Sequence, residues 1–266
     1  MVVDKTKLGI AFFDDRFGGV YRGRPALCSG RHGSGKSIFA FHFLHQALQD
    51  GDKALLLSSY RAEDTIIVAE SLGLSFADAV TRGQLTILEY ATFIPECAAS
   101  ANVMLPPQSF MELQETIESQ SIRRVAFDTV LPWVAIHPIS RIAEHVYSFI
   151  HAIERLGVTS LLTLPKPVSN PAFTLKSRLE DLCPIAVNLE QSGDSRVLRV
   201  TKYLGEIRNL STPFPFQIAQ GKGIVAADSE ADAQRQTPGS PQTAEPNPSQ
   251  QPNKRINFSS VIRFPD

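Results

Sequence analysis

Between residues 25 and 226 the chain alternates short, nearly unbroken apolar runs with longer segments whose apolar residues recur every three or four positions. "PALCSG" (25–30), "KALLLSS" (53–59), "QLTILEY" (84–90), "IRRVAFDTV" (122–130) and "VTSLLTL" (158–164) are of the first kind and predict strands covered on both faces. "SIFAFHFLHQALQDG", "AEDTIIVAESLGL", "SFMELQETIESQS" and "HPISRIAEHVYSFIHAIERLG" are of the second kind and predict helices. A long irregular stretch, "ATFIPECAASANVMLPPQ", interrupts the alternation after residue 90. "IAVNLE" and "SRVLRVTKYLG" then follow one another across the turn "QSGDS", a pattern that predicts an antiparallel hairpin at a sheet edge. The expected fold is therefore α/β, with a mostly parallel central sheet flanked by helices and an antiparallel C-terminal edge hairpin. In such sheets ligands sit at the carboxyl ends of the strands.

The apolar rhythm stops near residue 227. Residues 1–226 are expected to form the folded domain, and residues 227–255, rich in Pro, Gln and Ser, a disordered linker that buries too little apolar surface to offset its ordering entropy. Residues 256–266 turn apolar again through Ile256, Phe258, Val261, Ile262 and Phe264. They read either as an incidental tail end or as a short docking peptide for a protein partner. A composition of 43% hydrophobic and 20% charged residues fits a globular protein, and a net charge of −1 gives no reason to expect nucleic acid or an anionic membrane as partner. Cys28, Cys97 and Cys183 are far apart and suggest small buried thiols in a reducing compartment. No secretory signal or membrane-length apolar run is evident, so the expected location is the cytoplasm.

The chemistry concentrates in "CSGRHGSGKSIFAF" (28–41), where Gly30, Gly35, Lys36 and Ser37 satisfy the phosphate-loop spacing G-x-x-x-x-G-K-[ST]. The loop lies between a predicted strand and a predicted helix, the context the motif requires. Gly30, Arg31, His32, Gly33, Ser34, Gly35, Lys36 and Ser37 are the expected nucleotide-binding residues. The glycines let backbone N–H groups converge on the phosphates, and the helix start adds its positive dipole end. Lys36 would reach the β- and γ-phosphates, while the Ser37 hydroxyl would ligate Mg²⁺. Asp128, at the end of an apolar strand, is the expected second metal residue, directly or through water, with Glu89 as the competing acid. ATP and Mg²⁺ are the expected ligands.

Beyond the loop, "GIAFFDDRFGGVYRGRPALCSGRHGSGKSIFAFHFLHQAL" resembles the opening of a KaiC-type domain of the RecA-like ATPases, and "LRVTKYLG…FPFQIAQGKGIVA" is similar to that family's closing segment. The likeness covers roughly residues 8–226. It implies a RecA-like P-loop NTPase core, self-assembly into a hexameric ring or other homo-oligomer, ATP at subunit interfaces, and a signalling or clock lineage. By the same resemblance Lys202 matches a lysine that reaches the neighbouring subunit's phosphates.

Two departures bear on catalysis. Where the family carries a pair of glutamates that activate water, this chain has Ser59 and Tyr60, neither of which is a base near neutral pH. Where the family carries an arginine two residues after the lysine, this chain has Leu204. Glu63 and Asp64 are weak substitute bases, read more simply as acids at a helix N-terminus. The expected function is a nucleotide-binding protein whose ATP state controls assembly or partner binding, with weak or absent hydrolysis. The alternatives are an active Mg²⁺-dependent ATPase using a non-standard base, and a RecA-type recombination protein binding DNA. His42 and His45, three apart on one helix, read as packed or solvent-facing rather than metal ligands.

Overall fold

Side chains alternate faces along a strand, so a sheet built from unbroken apolar runs must bury both sides. In the computed structural model, which describes residues 4–89, 108–134, 139–206, 210 and 212–227, both sides are buried. Ala26, Cys28, Leu56, Ala126 and Leu161 enter one apolar cluster, while their strand neighbours Leu27, Leu55, Leu57, Val125, Phe127 and Leu162 enter another.

The chain opens with a small antiparallel ribbon, β1 (Lys5–Thr6) and β2 (Val20–Tyr21), around helix α1 (Ala11–Phe17). The phosphate-loop strand β3 (Pro25–Gly30) leads into α2 (Lys36–Gln49), followed by β4 (Ala54–Ser58), α3 (Ala62–Ser71), α4 (Phe76–Thr81) and β5 (Leu85–Glu89). Next come α5 (Gln108–Gln120), β6 (Arg124–Asp128), the short α6 (Leu131–Val134), α7 (Ile142–Arg155), β7 (Thr159–Pro165) and α8 (Asn170–Leu182). The described fold closes with β8 (Ile185–Ser192), β9 (Ser195–Tyr203), β10 (Phe214–Ala219) and β11 (Gly223–Ala226).

These strands form a nine-stranded sheet in the order β11-β10-β9-β8-β3-β7-β6-β4-β5. Pairings from β8 across to β5 are parallel, and those from β8 outward to β11 are antiparallel. The fold is thus the expected α/β architecture. The antiparallel part is longer than the expected hairpin, because β10 and β11 add a second one outside it. Residue Ile185 pairs with Tyr203 at the hairpin's open end, so β9 lies inside the sheet and β11 at its edge.

Helices α1, α2 and α4 contribute Phe13, Phe39, Phe43 and Phe76 to the first cluster. Helices α5, α7 and α8 cover the opposite face through residues such as Leu113, Phe149 and Leu179. Helix α7 buries Ile142, Val146, Phe149, Ile150 and Ile153, the i, i+4, i+7, i+8, i+11 stripe of a helix lying on a sheet. Helix α2 is different: Phe39 through Leu44 are all buried, because the sheet covers one side and other elements cover the rest. Phe41 meets Phe76 edge to face, with ring centroids 5.4 Å apart.

The contact pattern divides the chain into residues 1–227 and 228–266. Residues 228–266, which hold the expected linker beyond Ala227 and the docking peptide, lie outside the described residues, as does Cys97. Among the described residues no helix is long and apolar enough to cross a membrane.

Candidate functional site

Parallel strands bring their carboxyl ends to one edge of the sheet, and the register places Gly30 beside Pro165 and Asp128 beside Ser58. Strand β7 sits between the phosphate-loop strand β3 and the Asp128 strand β6. Above these ends lies a cleft of about 330 Å³. Its walls are the loop residues His32, Gly33, Gly35, Lys36 and Ser37 with Ile38, the β4 exit at Ser59 and Tyr60, the β6 exit at Asp128 and Thr129, and Thr163 and Pro165 of β7.

The loop glycines have different reasons to be glycine. Gly35, the residue before α2, has φ +101°, and Gly33 has φ +76°, both in the region that side chains disfavour. Gly30 is ordinary strand, but a Cβ there would lie 2.5 Å from both the Leu189 carbonyl and Ser34 Oγ. Its place is set by space rather than by dihedral freedom, which refines the sequence expectation. The turn opens with Ser34 N–H donating to the Arg31 carbonyl at 3.3 Å, and α2 begins immediately after Gly35, so its free N–H groups face the cleft.

Lys36 Nζ donates to the Arg31 carbonyl at 2.7 Å, which holds the ammonium across the loop. Burial lowers the Lys36 pKa, and the charge of Asp128 acts in the opposite direction. Asp128 is itself buried at 5% exposure. One of its oxygens, Oδ1, accepts from Thr163 Oγ1 at 2.7 Å, while Oδ2 is buried without a hydrogen-bond partner. The peptide joining Asp128 to Thr129 is cis. Ser34 Oγ is likewise buried and unpartnered within the loop.

An orphaned, buried carboxylate oxygen beside a serine hydroxyl and an ammonium suits a hydrated Mg²⁺ carried by phosphates. Magnesium takes few protein ligands and keeps water and phosphate oxygens as the rest of its shell. Ser37 and Asp128 are the residues that fit it. Among the described residues no group of three or more His, Cys, Asp or Glu is placed to hold a metal ion by itself.

The other sequence candidates fall outside the cleft. Glu63 and Asp64 occupy the exposed first turn of α3. Glu89 accepts from Ala62 N–H at 2.7 Å, capping that same helix from the edge strand β5. Lys202 Nζ donates to the Glu180 and Asp181 carbonyls at 2.7 and 2.8 Å, at the C-terminal end of α8. Leu204, 56% exposed, follows on the surface. Asp128 is the only carboxylate among the described residues lining the cleft.

The histidines have structural duties. His42 bridges the Gly9 carbonyl (Nδ1, 3.0 Å) and the Ile224 N–H (Nε2, 2.8 Å), and His45 contacts Gln49 at 3.0 Å. Cys28 and Cys183 are free, buried thiols whose pKa values burial raises, as expected for inert packing groups. Sequence reasoning missed Thr163, which carries no motif signature. It also missed Thr129, whose hydroxyl donates to the Thr163 carbonyl at 2.9 Å.

A family profile described as "ATPase: KaiC" matches residues 6–231. The chain is 26% identical over 226 residues to the circadian clock oscillator protein KaiC of Prochlorococcus marinus (strain MIT 9313), covering 81% of this chain and 44% of that protein. It is 27% identical to the protein of the same name from Parasynechococcus marenigrum (strain WH8102), covering 81% and 43%. The chain thus spans less than half the length of the curated relatives it matches. The crystal structure of a KaiC-like protein from Pyrococcus horikoshii OT3 superposes with a TM-score of 0.67 at 23% identity, covering 85% of this chain and all of that one, and shows the shared fold.

Proposed function

Because the chain belongs to the KaiC family of ATPases, we propose that it binds Mg²⁺·ATP at the phosphate loop and hydrolyses it weakly or not at all, its nucleotide state controlling self-assembly or partner binding. The observation that carries this reading is the make-up of the cleft wall, which among the described residues brings the phosphate loop, Lys36 and Ser37 together with a single carboxylate, Asp128.

Loop N–H groups and the start of α2 receive the phosphates, and Lys36 neutralises the outer ones. Ser37 and Asp128 Oδ2 hold the metal shell, and Mg²⁺ when bound screens the charge of the β- and γ-phosphates. Asp128 is committed to that role. An attacking water would need a second carboxylate, and the β4 exit offers only the hydroxyls of Ser59 and Tyr60. Glu63 and Asp64 lie outside the cleft wall, which favours this reading over an active ATPase with a displaced base.

Lys36→Ala is expected to weaken ATP affinity in calorimetric titration by more than about tenfold, the loss of one charge-assisted contact. It is also expected to abolish any ATP-dependent increase in particle size by light scattering. Wild-type turnover should match that of Lys36→Ala. Turnover well above that control would sink the claim of lost hydrolysis, and unchanged ATP affinity would sink the site.

A further inference from the structure

Strand β7 separates the phosphate-loop strand from the Asp128 strand, so its carboxyl end delivers a side chain between the two halves of the cleft. That side chain is Thr163, which is fully buried. Its hydroxyl donates to Asp128 Oδ1 at 2.7 Å. Its carbonyl accepts from Thr129 Oγ1 and from Val130 N–H, both at 2.9 Å, and so pins the chain immediately after Asp128. The second carboxylate oxygen, Oδ2, is left buried with no partner.

We infer that Thr163 is the positioning residue for the metal: it occupies Oδ1 and fixes the carboxylate plane so that Oδ2 alone meets the Mg²⁺ shell. This rests on the nucleotide reading of the cleft and adds to it a residue whose hydroxyl is spent on the Asp128 carboxylate. A carboxylate swings readily about its terminal torsion, and two hydrogen-bonding oxygens in one pocket give it competing orientations. A buried hydroxyl that donates to one oxygen selects one orientation. Magnesium demands near-octahedral geometry, and Asp128 is the only carboxylate among the described residues lining the cleft, so its misorientation would cost metal binding directly. Loss of such outer-shell partners typically lowers metal affinity about 10- to 100-fold.

The test uses the full-length protein and a fluorescent ATP analogue, titrated with Mg²⁺ and, separately, in EDTA. Thr163→Val keeps the shape and removes the donor. It is expected to raise the Mg²⁺ concentration needed for half-maximal tight binding by about tenfold while leaving the EDTA affinity unchanged. Thr163→Ser restores the hydroxyl and should return the Mg²⁺ dependence to within about threefold of wild type. In an Asp128→Asn background Thr163→Val should cause no further loss, because its effect passes through Asp128. If Thr163→Val does not fold, Thr163→Ala takes its place with the same expectations.

A wild-type Mg²⁺ dependence in the folded donor-less variant overturns the inference, as does a full additional loss in the Asp128→Asn background. Both outcomes leave the nucleotide site standing. A wild-type protein that binds the analogue neither with Mg²⁺ nor in EDTA refutes the nucleotide reading itself, and this inference with it.

Discussion

Arg124 and Arg123 are neighbours in the sequence with opposite fates. Arg123 is exposed, whereas Arg124 is 1% exposed at the start of β6. Its guanidinium donates to Asp50, to Asp52 at 3.2 Å, to Thr6 Oγ1 at 2.6 Å and to the Lys7 carbonyl at 3.1 Å. It therefore ties the opening ribbon and the turn after α2 to the central sheet. Asp50 and Asp52 keep contact with solvent, so the loss falls mainly on the buried hydrogen bonds of the guanidinium, about 1–3 kcal/mol. Arg124→Leu should lower unfolding stability by roughly that amount in urea titration, and stability equal to wild type would show the clip to be idle. Nothing in "IRRVAFDTV" distinguishes the two arginines, because the distinction depends on Asp50 and Asp52 arriving from a turn some 70 residues earlier. The phosphate loop was legible for the opposite reason: all its working groups lie within eight consecutive residues, so spacing alone encodes the geometry. Thr163 was not, since one threonine in an apolar run acquires meaning only once β7 is known to lie between β3 and β6.

At the scale of elements, the strongly periodic segments were readable and the weakly apolar ones were not. Helix α8 buries only Leu175 and Leu179 behind a polar face, too thin a stripe to stand out, although Ser169 at its N-cap and Pro171 in its first turn mark its start. "AEDTIIVAESLGL", expected as one helix, stops at Ser71 because Gly73 takes φ +75°, and a second short helix begins at Phe76. The β10–β11 hairpin is joined to the phosphate-loop helix by His42, whose Nδ1–H donates to Gly9 while Nε2 accepts from Ile224. The bond from Ile224 needs the neutral ring, and burial lowers its pKa from 6.5 to about 4, against the Gly9 bond, which acts the other way. The unfolded chain takes up the proton near pH 6.5 and the folded one near pH 4. Stability from this group is therefore fully present above about 6.5 and falls as pH drops toward 4, by up to about 3 kcal/mol. Denaturation at pH 7 and pH 5 should show that slope in the wild type. It should be shallower in His42→Gln, which keeps an acceptor but does not titrate. Equal slopes would remove His42 from the account.

At the scale of the whole molecule, the question is which groups serve their own cleft and which are placed for a neighbour. Lys202 pairs across β8 with Ala186, which in turn lies beside Leu27, three residues before the carboxyl end of β3 at Gly30. Its ammonium sits on the last carbonyls of α8, where the negative end of the helix dipole holds it. It contributes nothing to the wall of the cleft in its own chain. Two bonds to carbonyls at a helix end are worth little more than about 1–2 kcal/mol, so an incoming phosphate can compete for this cation where a helix buried deeper would not release it. If assembly brings the Lys202 end of β9 in one subunit to the nucleotide of the next, Lys202 acts only in the assembled state. Lys202→Ala should then leave ATP affinity unchanged at protein concentrations too low for assembly, while shifting ATP-dependent association to higher concentration by about tenfold, the weight of one charge-assisted contact per interface. Analytical ultracentrifugation with and without ATP reads both quantities. An equal loss of affinity in the monomer would place Lys202 in its own site, and unchanged association would remove it from the interface. The neighbouring position tests the same geometry from the other side. Leu204 is exposed where the family likeness calls for a cation, so Leu204→Arg should strengthen ATP-dependent association without raising turnover, because a transition-state charge is of little use where Asp128 is the only carboxylate among the described residues of the cleft wall.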